Sequence, residues 1–357
     1  MSTILITGIG GPTPRSIARS IRKNFPDVRI VGVDMNLKAI GFFMQGLLDA
    51  YYQSPCVDHP DYWFFIKRLI DKEKIDMAFV QPEKEVIEWG EYYDQNGDYP
   101  CPVLIPPKTL ALSLMDKAIM AELLSGTGYI PKTIKVTQND PKFEEVEREI
   151  GFPCWIRATR GSGGLGSLKL MDISSYRSWL FINNEIDEFT VSEFLTGRHI
   201  ANQMLYYDDE YIKGASLECA EYVMASIAPS KVTGNTSFGR FINEDSCLEF
   251  CNECVRYLCE KTNQRAHGVL SFDLKEDKEG NPKVTEINIR HMAYTGIMSD
   301  VGFDLIADTM KILQTGNADC IKKNPYFHYE KPYIFLRDVD IEPIILEGEH
   351  QLVVGAV

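Results

Sequence analysis

Residues 268–290 read GVLSFDLKEDKEGNPKVTEINIR. Two alternating apolar runs, VLSFDL and KVTEINI, flank the turn-rich DKEGNP, the pattern of an antiparallel hairpin. Centring the turn between Glu279 and Gly280 sets Asp273 opposite Glu286 and Ser271 opposite Asn288. Every second side chain of a strand lies on one face, so two acids and an amide are predicted to share one patch. Directly opposed like charges destabilise a sheet. At about 5 Å and an effective dielectric near 20 the repulsion is roughly 3 kcal/mol. A hard divalent cation offsets it, and Mg2+ in particular binds one or two carboxylates while sharing a substrate's phosphates. A one-residue slip of register would instead send one acid to solvent, and at this level that alternative stays open.

Upstream, PCWIRATRGSGGLGSLKLM places Arg157 at the end of an apolar strand. A loop with four glycines in six residues, Gly161 to Gly166, follows, and then a second strand. Glycines let the backbone approach phosphate oxygens closely. No G-K-[ST] and no helix follow, so the loop reads as a hairpin lid or as a plain Gly/Ser turn. A second glycine cluster, Gly8, Gly10 and Gly11, ends the first strand, and Asp34 ends the next. That is the spacing of a dinucleotide-binding turn and its ribose acid. The position where a third glycine would permit close helix packing is Pro14, so a bare α/β domain with a tight turn is the competing reading.

The first hundred residues alternate ILITGIG, RSIARSIRKNF, RIVGVDM, FIKRLIDKEK and IDMAFVQP, the βαβ rhythm of a parallel sheet. After YPCPVLIPP comes the helical segment LMDKAIMAELLSGTG. From about residue 150 the pattern turns to short strands, hairpins and two longer amphipathic helices. One of these holds CLEFCNEC, residues 247–254, with Cys259 close behind. The C-x3-C-x2-C spacing can hold an iron–sulfur cluster. However, Cys247, Leu248, Phe250, Cys251, Cys254, Val255, Leu258 and Cys259 recur at intervals of three and four, with Asp245 placed to cap the start. Free cysteine behaves as a small buried hydrophobe, so the stretch is predicted to be a core helix.

The chain has 357 residues, 45% hydrophobic and 25% charged, enough for two or three packed units without long disordered regions. With 37 basic and 51 acidic residues the net charge is −14, which disfavours nucleic acid as a partner. The start, MSTILITGIGG, lacks the basic and small-residue features of a signal peptide, and stretches such as IGFFMQGLL are too short to span a bilayer. No membrane partner and a cytoplasmic location are therefore expected, with the nine cysteines reduced.

Taken in order along nearly the whole chain, these pieces resemble the ATP-grasp superfamily, in its carbamoyl-phosphate-synthase-like and biotin-carboxylase-like branches. The resemblance implies an α/β and α+β architecture. A Rossmann-like pre-ATP-grasp domain (1–112) would precede a small lobe with the glycine lid (113–192), a large lobe with the metal site (193–325) and a β-rich extension (326–357). By the match, Lys117 in MDKAIMAELL and Arg157 reach the nucleotide phosphates, and Gly161, Ser162, Gly163 and Gly164 form the lid. VSEFLTGRH is similar to the family's hinge. There Glu193 would accept the adenine amino group, Phe194 and the Leu195 backbone would border the ring, and His199 would lie near the ribose. Asp273, Glu286 and Asn288 match the magnesium ligands, and Arg290 falls where the family places a cation near the transferred phosphate.

The implied cofactors are ATP and Mg2+, with Mn2+ as an alternative metal. The implied partners are a small-molecule carboxylate and an amine, with a homodimer allowed. The activity that follows is ADP-forming ligation through an acyl phosphate. Two other readings remain: an NAD-dependent oxidoreductase using the first domain, and a nucleotide-binding regulator without catalysis. For the substrates, the loop APSKVTGNTSFGRF offers Lys231 and Arg240, His291 borders the same space, and VQPEKE can line it, because loops after parallel strands face the ligand crevice.

Overall fold

The computed structural model describes residues 2–161, 164–339 and 344–347. The chain opens with β1 (Thr3–Thr7), α1 (Pro12–Asn24), β2 (Arg29–Asp34), β3 (Ala50–Gln53), α2 (Tyr62–Glu73), β4 (Met77–Phe79) and α3 (Glu83–Asn96). The strands form a sheet in the order β3-β2-β1-β4, and each neighbouring pair is parallel. Strand alternation sends Leu5, Val31, Val33 and Ala78 to a core shared with Tyr62, Ile66, Val86 and Trp89 of α2 and α3. Ile4, Ile6, Ile30 and Met77 go to a second core, against Ile17, Ala18 and Ile21 of α1. Both faces of the sheet are thus covered, which is why these short strands read as continuous apolar runs.

The single helix expected over LMDKAIMAELL is two: α4 (Lys108–Met115) and α5 (Lys117–Leu123). Asp116 breaks it. Its backbone is extended, and its carboxylate accepts the N–H groups of Ala118 and Ile119, so it caps α5 and leaves Lys117 as the first helical residue. Next come β5 (Thr133–Thr137), α6 (Phe143–Glu149), β6 (Cys154–Ala158), β7 (Leu168–Leu170), α7 (Ile173–Ile182) and β8 (Glu188–Glu193). Their strands make an antiparallel sheet ordered β5-β8-β6-β7. Cys154 and Ile156 of β6 are buried with Val146 of α6 and Tyr176 of α7, so the alternate residues Trp155 and Arg157 face the other way.

The remaining elements are β9 (His199–Tyr207), β10 (Glu210–Tyr222), β11 (Thr236–Ile242), α8 (Asp245–Thr262), β12 (Gly268–Glu276), β13 (Pro282–Asn288), α9 (Thr295–Asp300), α10 (Leu305–Thr315), β14 (Ile334–Leu336) and β15 (Ile344–Leu346). Among the described residues the strands form one sheet, ordered β13-β12-β9-β10-β11-β14-β15. α8 covers one face. Cys247, Cys251, Cys254 and Cys259 lie in the core shared with Met204, Leu270 and Trp89 of α3, and all four thiols are free. Burial pushes Cys247 up to about 12 and Cys259 up to about 11, so both are neutral thiols. The helix-stripe reading therefore holds, with one change: the cap is Glu244, while Asp245 in the first turn pairs with His328. The other face of the sheet packs on Met298, Phe303, Leu305 and Ile312 of the α9–α10 region.

Candidate functional site

β12 and β13 pair so that Asp273 faces Glu286 and Ser271 faces Asn288. The expected facing pairs are therefore present, but not for the expected reason. The turn spans Asp277–Asn281 and is centred on Glu279: the Asp277 N–H bonds the Asn281 carbonyl, and Gly280 has φ +85°. From that turn alone Lys275 pairs with Lys283 and Leu274 with Val284, which would bring Asp273 opposite Thr285 and turn Glu286 to the other face. A bulge between Asp273 and Leu274 restores the register. Thr285 is the extra residue. Its hydroxyl donates to the Asp273 carbonyl at 2.8 Å, and its own carbonyl accepts Arg157 Nη2 at 2.6 Å.

Both acids line a cavity of about 730 Å3, together with Lys117, Arg157, Asn288 and Arg290. Asn288 Nδ2 donates to Asp273 Oδ2 at 3.3 Å. Lys117, buried at 6% exposure, stands 3.2 Å from Glu286 Oε1 and donates to the Gly161 carbonyl at 3.1 Å. Its place is set by Asp116, which takes the α5 N–H groups and also accepts from Arg160 Nε at 2.8 Å. Burial would raise the Asp116 carboxyl, but Arg160 and the Ile119 and Ala118 N–H groups outweigh it and hold the carboxyl below its usual range. Arg157 is buried, and burial lowers its pKa against the pull of Glu286 and Asp273. Its Nε has no partner among the described residues.

Gly161 and Gly164 of the glycine loop line the cavity with φ +105° and +77°. Ser162 and Gly163, the other lid residues expected from the sequence, lie outside the described residues. A Cβ at Gly164 would meet the Val232 carbonyl at 2.9 Å, so this loop meets the β10–β11 connection over the cavity. Lys231 of that connection lines the cavity, its Nζ donating to the Ser226 carbonyl at 2.7 Å.

At the expected hinge, between the end of β8 and the start of β9, Glu193, Phe194, Leu195 and His199 all line the cavity. The Glu193 carboxylate accepts the Lys132 N–H at 2.9 Å. Phe194 lies under Lys169 Nζ at 4.2 Å. His199 is held between Tyr222, whose hydroxyl bonds Nδ1, and Asp273 Oδ1, 3.1 Å from Nε2.

Two of the substrate residues suggested by the sequence are not brought to this cavity. Arg240 stacks on Phe238 and pairs with Glu218 at 3.2 Å, on the paired strands β10 and β11. His291 is buried beside Phe79, with ring centroids 5.8 Å apart, and burial lowers its pKa to about 3, so it is a neutral core residue. Its neighbour Arg290 does line the cavity, held by Glu83 Oε1 at 3.3 Å. Residues that sequence reasoning missed include Lys275, Tyr222 and Trp155. Lys275 was findable, since it is two residues past Asp273 on the same face. Tyr222 had no local signal, because its role comes from the strand that crosses beside His199.

The first glycine turn also lines this cavity, through Gly8, Gly11, Thr13 and Pro14. Its neighbouring acid, Asp34, does not line the cavity. Asp34 Oδ2 accepts the Gly10 N–H at 2.9 Å, and Oδ1 accepts the Asn36 N–H at 2.8 Å. Asp34 thus ties the turn to the end of β2.

The groups around the acids suit a magnesium nucleotide. Two carboxylates and an amide fall short of a full set of protein ligands, and no group of three His, Cys, Asp or Glu among the described residues could hold a metal alone. A hard cation here needs further oxygens of the kind a triphosphate carries. The Arg157 Nε is a buried donor in want of an acceptor beside them.

No family model matches the sequence, and no curated protein matches it. The structure does have relatives. It is similar to N5-carboxyaminoimidazole synthetase from Staphylococcus aureus complexed with ADP, at 13% identity over 94% of this chain and 82% of that one, with a TM-score of 0.69. It is also similar to the biotin carboxylase domain of 2-oxoglutarate carboxylase from Hydrogenobacter thermophilus, in complex with MgADP, ADP and bicarbonate. There the identity is 13% over 94% of this chain and 74% of that one, with a TM-score of 0.67. An L-amino acid ligase from Bacillus licheniformis gives 10% identity over 94% and 79% of the two chains, with a TM-score of 0.64. These are ATP-grasp enzymes, and at such identities the likeness is one of fold. Among the described residues no helix is long and apolar enough to cross a membrane. With its three sheets, its cavity and these relatives, the chain has the ATP-grasp fold.

Proposed function

We propose that this protein is an ADP-forming ligase that activates a small-molecule carboxylate for attack by an amine. The observation that carries this reading is the opposed pair Asp273 and Glu286 on the cavity wall, with Lys117 3.2 Å from Glu286 and Arg157 buried beside both. That combination of anions and cations fits a magnesium triphosphate. Asp273, Glu286 and Asn288 would hold Mg2+, or Mn2+ through the same oxygen donors, and the metal would neutralise phosphate charge. Lys117 and Arg157 would bind the phosphates, Arg290 would lie where the transferred phosphate meets the carboxylate that attacks it, and the Gly161–Gly166 loop would cover them. The hinge residues Glu193, Phe194, Leu195 and His199 would border the adenosine. In this reading residues 113–192 and 193–325 are the two grasping lobes, with 1–112 ahead of them and 326–357 appended.

The chemistry balances without a protein nucleophile. A carboxylate oxygen attacks the γ-phosphorus, and ADP leaves with the electron pair of the broken bond. The amine then attacks the acyl carbon, phosphate departs with its bonding pair, and the amine loses a proton. The cations would stabilise the charge that develops on the transferred group, and the cavity would keep water from the acyl phosphate. The S. aureus relative was solved with ADP and the B. licheniformis relative is named as an L-amino acid ligase, which supports this reading. A homodimer is part of the proposal, since the H. thermophilus relative is described as a dimer. The test is ADP and phosphate release from ATP and Mg2+ with pools of acids and amines. Release should require an acid, and Glu286→Ala should abolish it while leaving the circular dichroism spectrum unchanged. Undiminished turnover in Glu286→Ala would sink the proposal.

A further inference from the structure

One wall of the cavity comes from the carboxyl ends of β1 and β4 and the first turn of α1, through Gly8, Gly11, Thr13, Pro14 and Gln81. A helix N-terminus ordinarily offers several free N–H groups to an anion. This one is poor in them. Pro12 and Pro14 carry no N–H, and the Gly11 N–H is spent on the Gly8 carbonyl at 2.9 Å. The wall is instead rich in an unmet acceptor. Gln81 is 4% exposed and its Oε1 has no donor among the described residues. The side-chain amide is oriented by its nitrogen, and the backbone beneath it is held separately. Nε2 donates to the Val80 carbonyl at 3.2 Å, and the Gln81 N–H donates to Thr7 Oγ1 at 3.2 Å. Turning the amide over would set Oε1 against the Val80 carbonyl oxygen, two acceptors facing each other. A buried amide oxygen left without a donor costs free energy that a ligand donor would recover. Two residues on, Glu83 holds Arg290 at 3.3 Å, and Arg290 lines the same cavity as Gln81.

A cation for a carboxylate and an acceptor for a donor are the complement of an acid with an N–H group next to its carboxyl. We propose that Gln81 is a specificity-determining residue whose Oε1 accepts a hydrogen bond from an N–H group of the acid substrate seated against Arg290. The acid that is activated is then an α-amino acid or a close relative of one. The inference rests on the ligase reading for what happens to that acid, but not for how it is bound.

The test is isothermal titration of the full chain with a non-hydrolysable ATP analogue and Mg2+ present. The probes are paired acids: L-alanine and propionate, L-leucine and 4-methylpentanoate, L-phenylalanine and 3-phenylpropionate, L-glutamate and glutarate. At least one amino member should bind about tenfold or more tighter than its partner. Gln81→Met should erase that gap while the affinity for the ATP analogue is kept. Equal binding within every pair, binding of no amino member, or a gap that survives in Gln81→Met overturns the inference. Should Gln81→Met lose the analogue as well, Gln81→Asn, which withdraws the oxygen by one methylene, decides by the same criterion. The two readings fail separately. ADP released equally with amino and des-amino acids leaves the ligase standing and removes the role of Gln81. A preference that follows Gln81 with no ADP released in any mixture does the reverse.

Discussion

Gly8 and Gly161 both follow strands, both line one cavity, and both have positive φ, +66° and +105°. What stands opposite them differs. Beside Gly161 are Lys117, donating to its carbonyl, and the buried Arg157 with a spare donor. Beside Gly8 are Pro82, two helix-starting prolines and an aspartate whose oxygens are already taken by backbone N–H groups. Glycine spacing tells where a backbone can come close to a ligand. The side chains across the gap decide whether that ligand is an anion.

The largest test of this difference is on activity. On the proposed ligase reading, Arg157→Met should lower ADP release by about 100-fold or more, because the cation assigned there to the transferred phosphate is lost. Asp34→Asn should leave ADP release within about twofold, since Asp34 serves the turn and not the nucleotide. A phosphate-release assay on both variants would invert the comparison if Asp34→Asn proved the damaging one.

The next effects are on stability. Gly8→Ala forces a side chain into the left-handed region and brings its Cβ to 2.6 Å from Pro82 Cγ. The expected cost is about 2–4 kcal/mol in urea unfolding, from strain and overpacking together. Asp34→Ala should cost less, about 1–2 kcal/mol, because the N–H groups it frees lie close enough to the surface for water to replace part of each bond. A larger loss for Asp34→Ala than for Gly8→Ala would mean that the carboxylate, not the glycine, shapes the turn.

Much of this was legible in the sequence, through alternation above all. The two alternating strands that carry Asp273 and Glu286, the face of β6 that carries Arg157, and the stripe of cysteines on α8 all follow from periods of two or 3.6. What was not legible depends on single residues acting against their neighbours. The hairpin turn is centred half a residue from its expected place, and the Thr285 bulge cancels the error, so the right pairing was reached through two offsetting departures. The break at Asp116 is invisible to a helical period that runs through it. Arg240 and His291 carry the right chemistry, but one pairs along its own sheet and the other is turned into the core. The unmet oxygen of Gln81 needs the three-dimensional hydrogen-bond pattern, since nothing in VQPEKE says which donors are absent.

The smallest predicted effect lies just below the first turn and is read through pH. Glu85 accepts from Tyr62 at 3.0 Å, and burial pushes its carboxyl from 4.5 up to about 7 against the hydrogen bonds of Tyr62 and Thr7, with Asp34 adding repulsion. A raised carboxyl pKa means that the folded protein holds this proton more tightly than the unfolded chain does. Its contribution is therefore constant below pH 4.5, weakens as pH rises from 4.5 to about 7, and is flat above. Glu85→Gln keeps the shape and removes the titration. The variant should be more stable than the parent at pH 8 by on the order of 1 kcal/mol, the full shift being reduced by solvent at a half-buried group, and the gap should close by pH 5. Urea midpoints at the two pH values measure it. A gap that is the same at both would place the charge of Glu85 in water and leave the first turn resting on the Asp34 bonds alone.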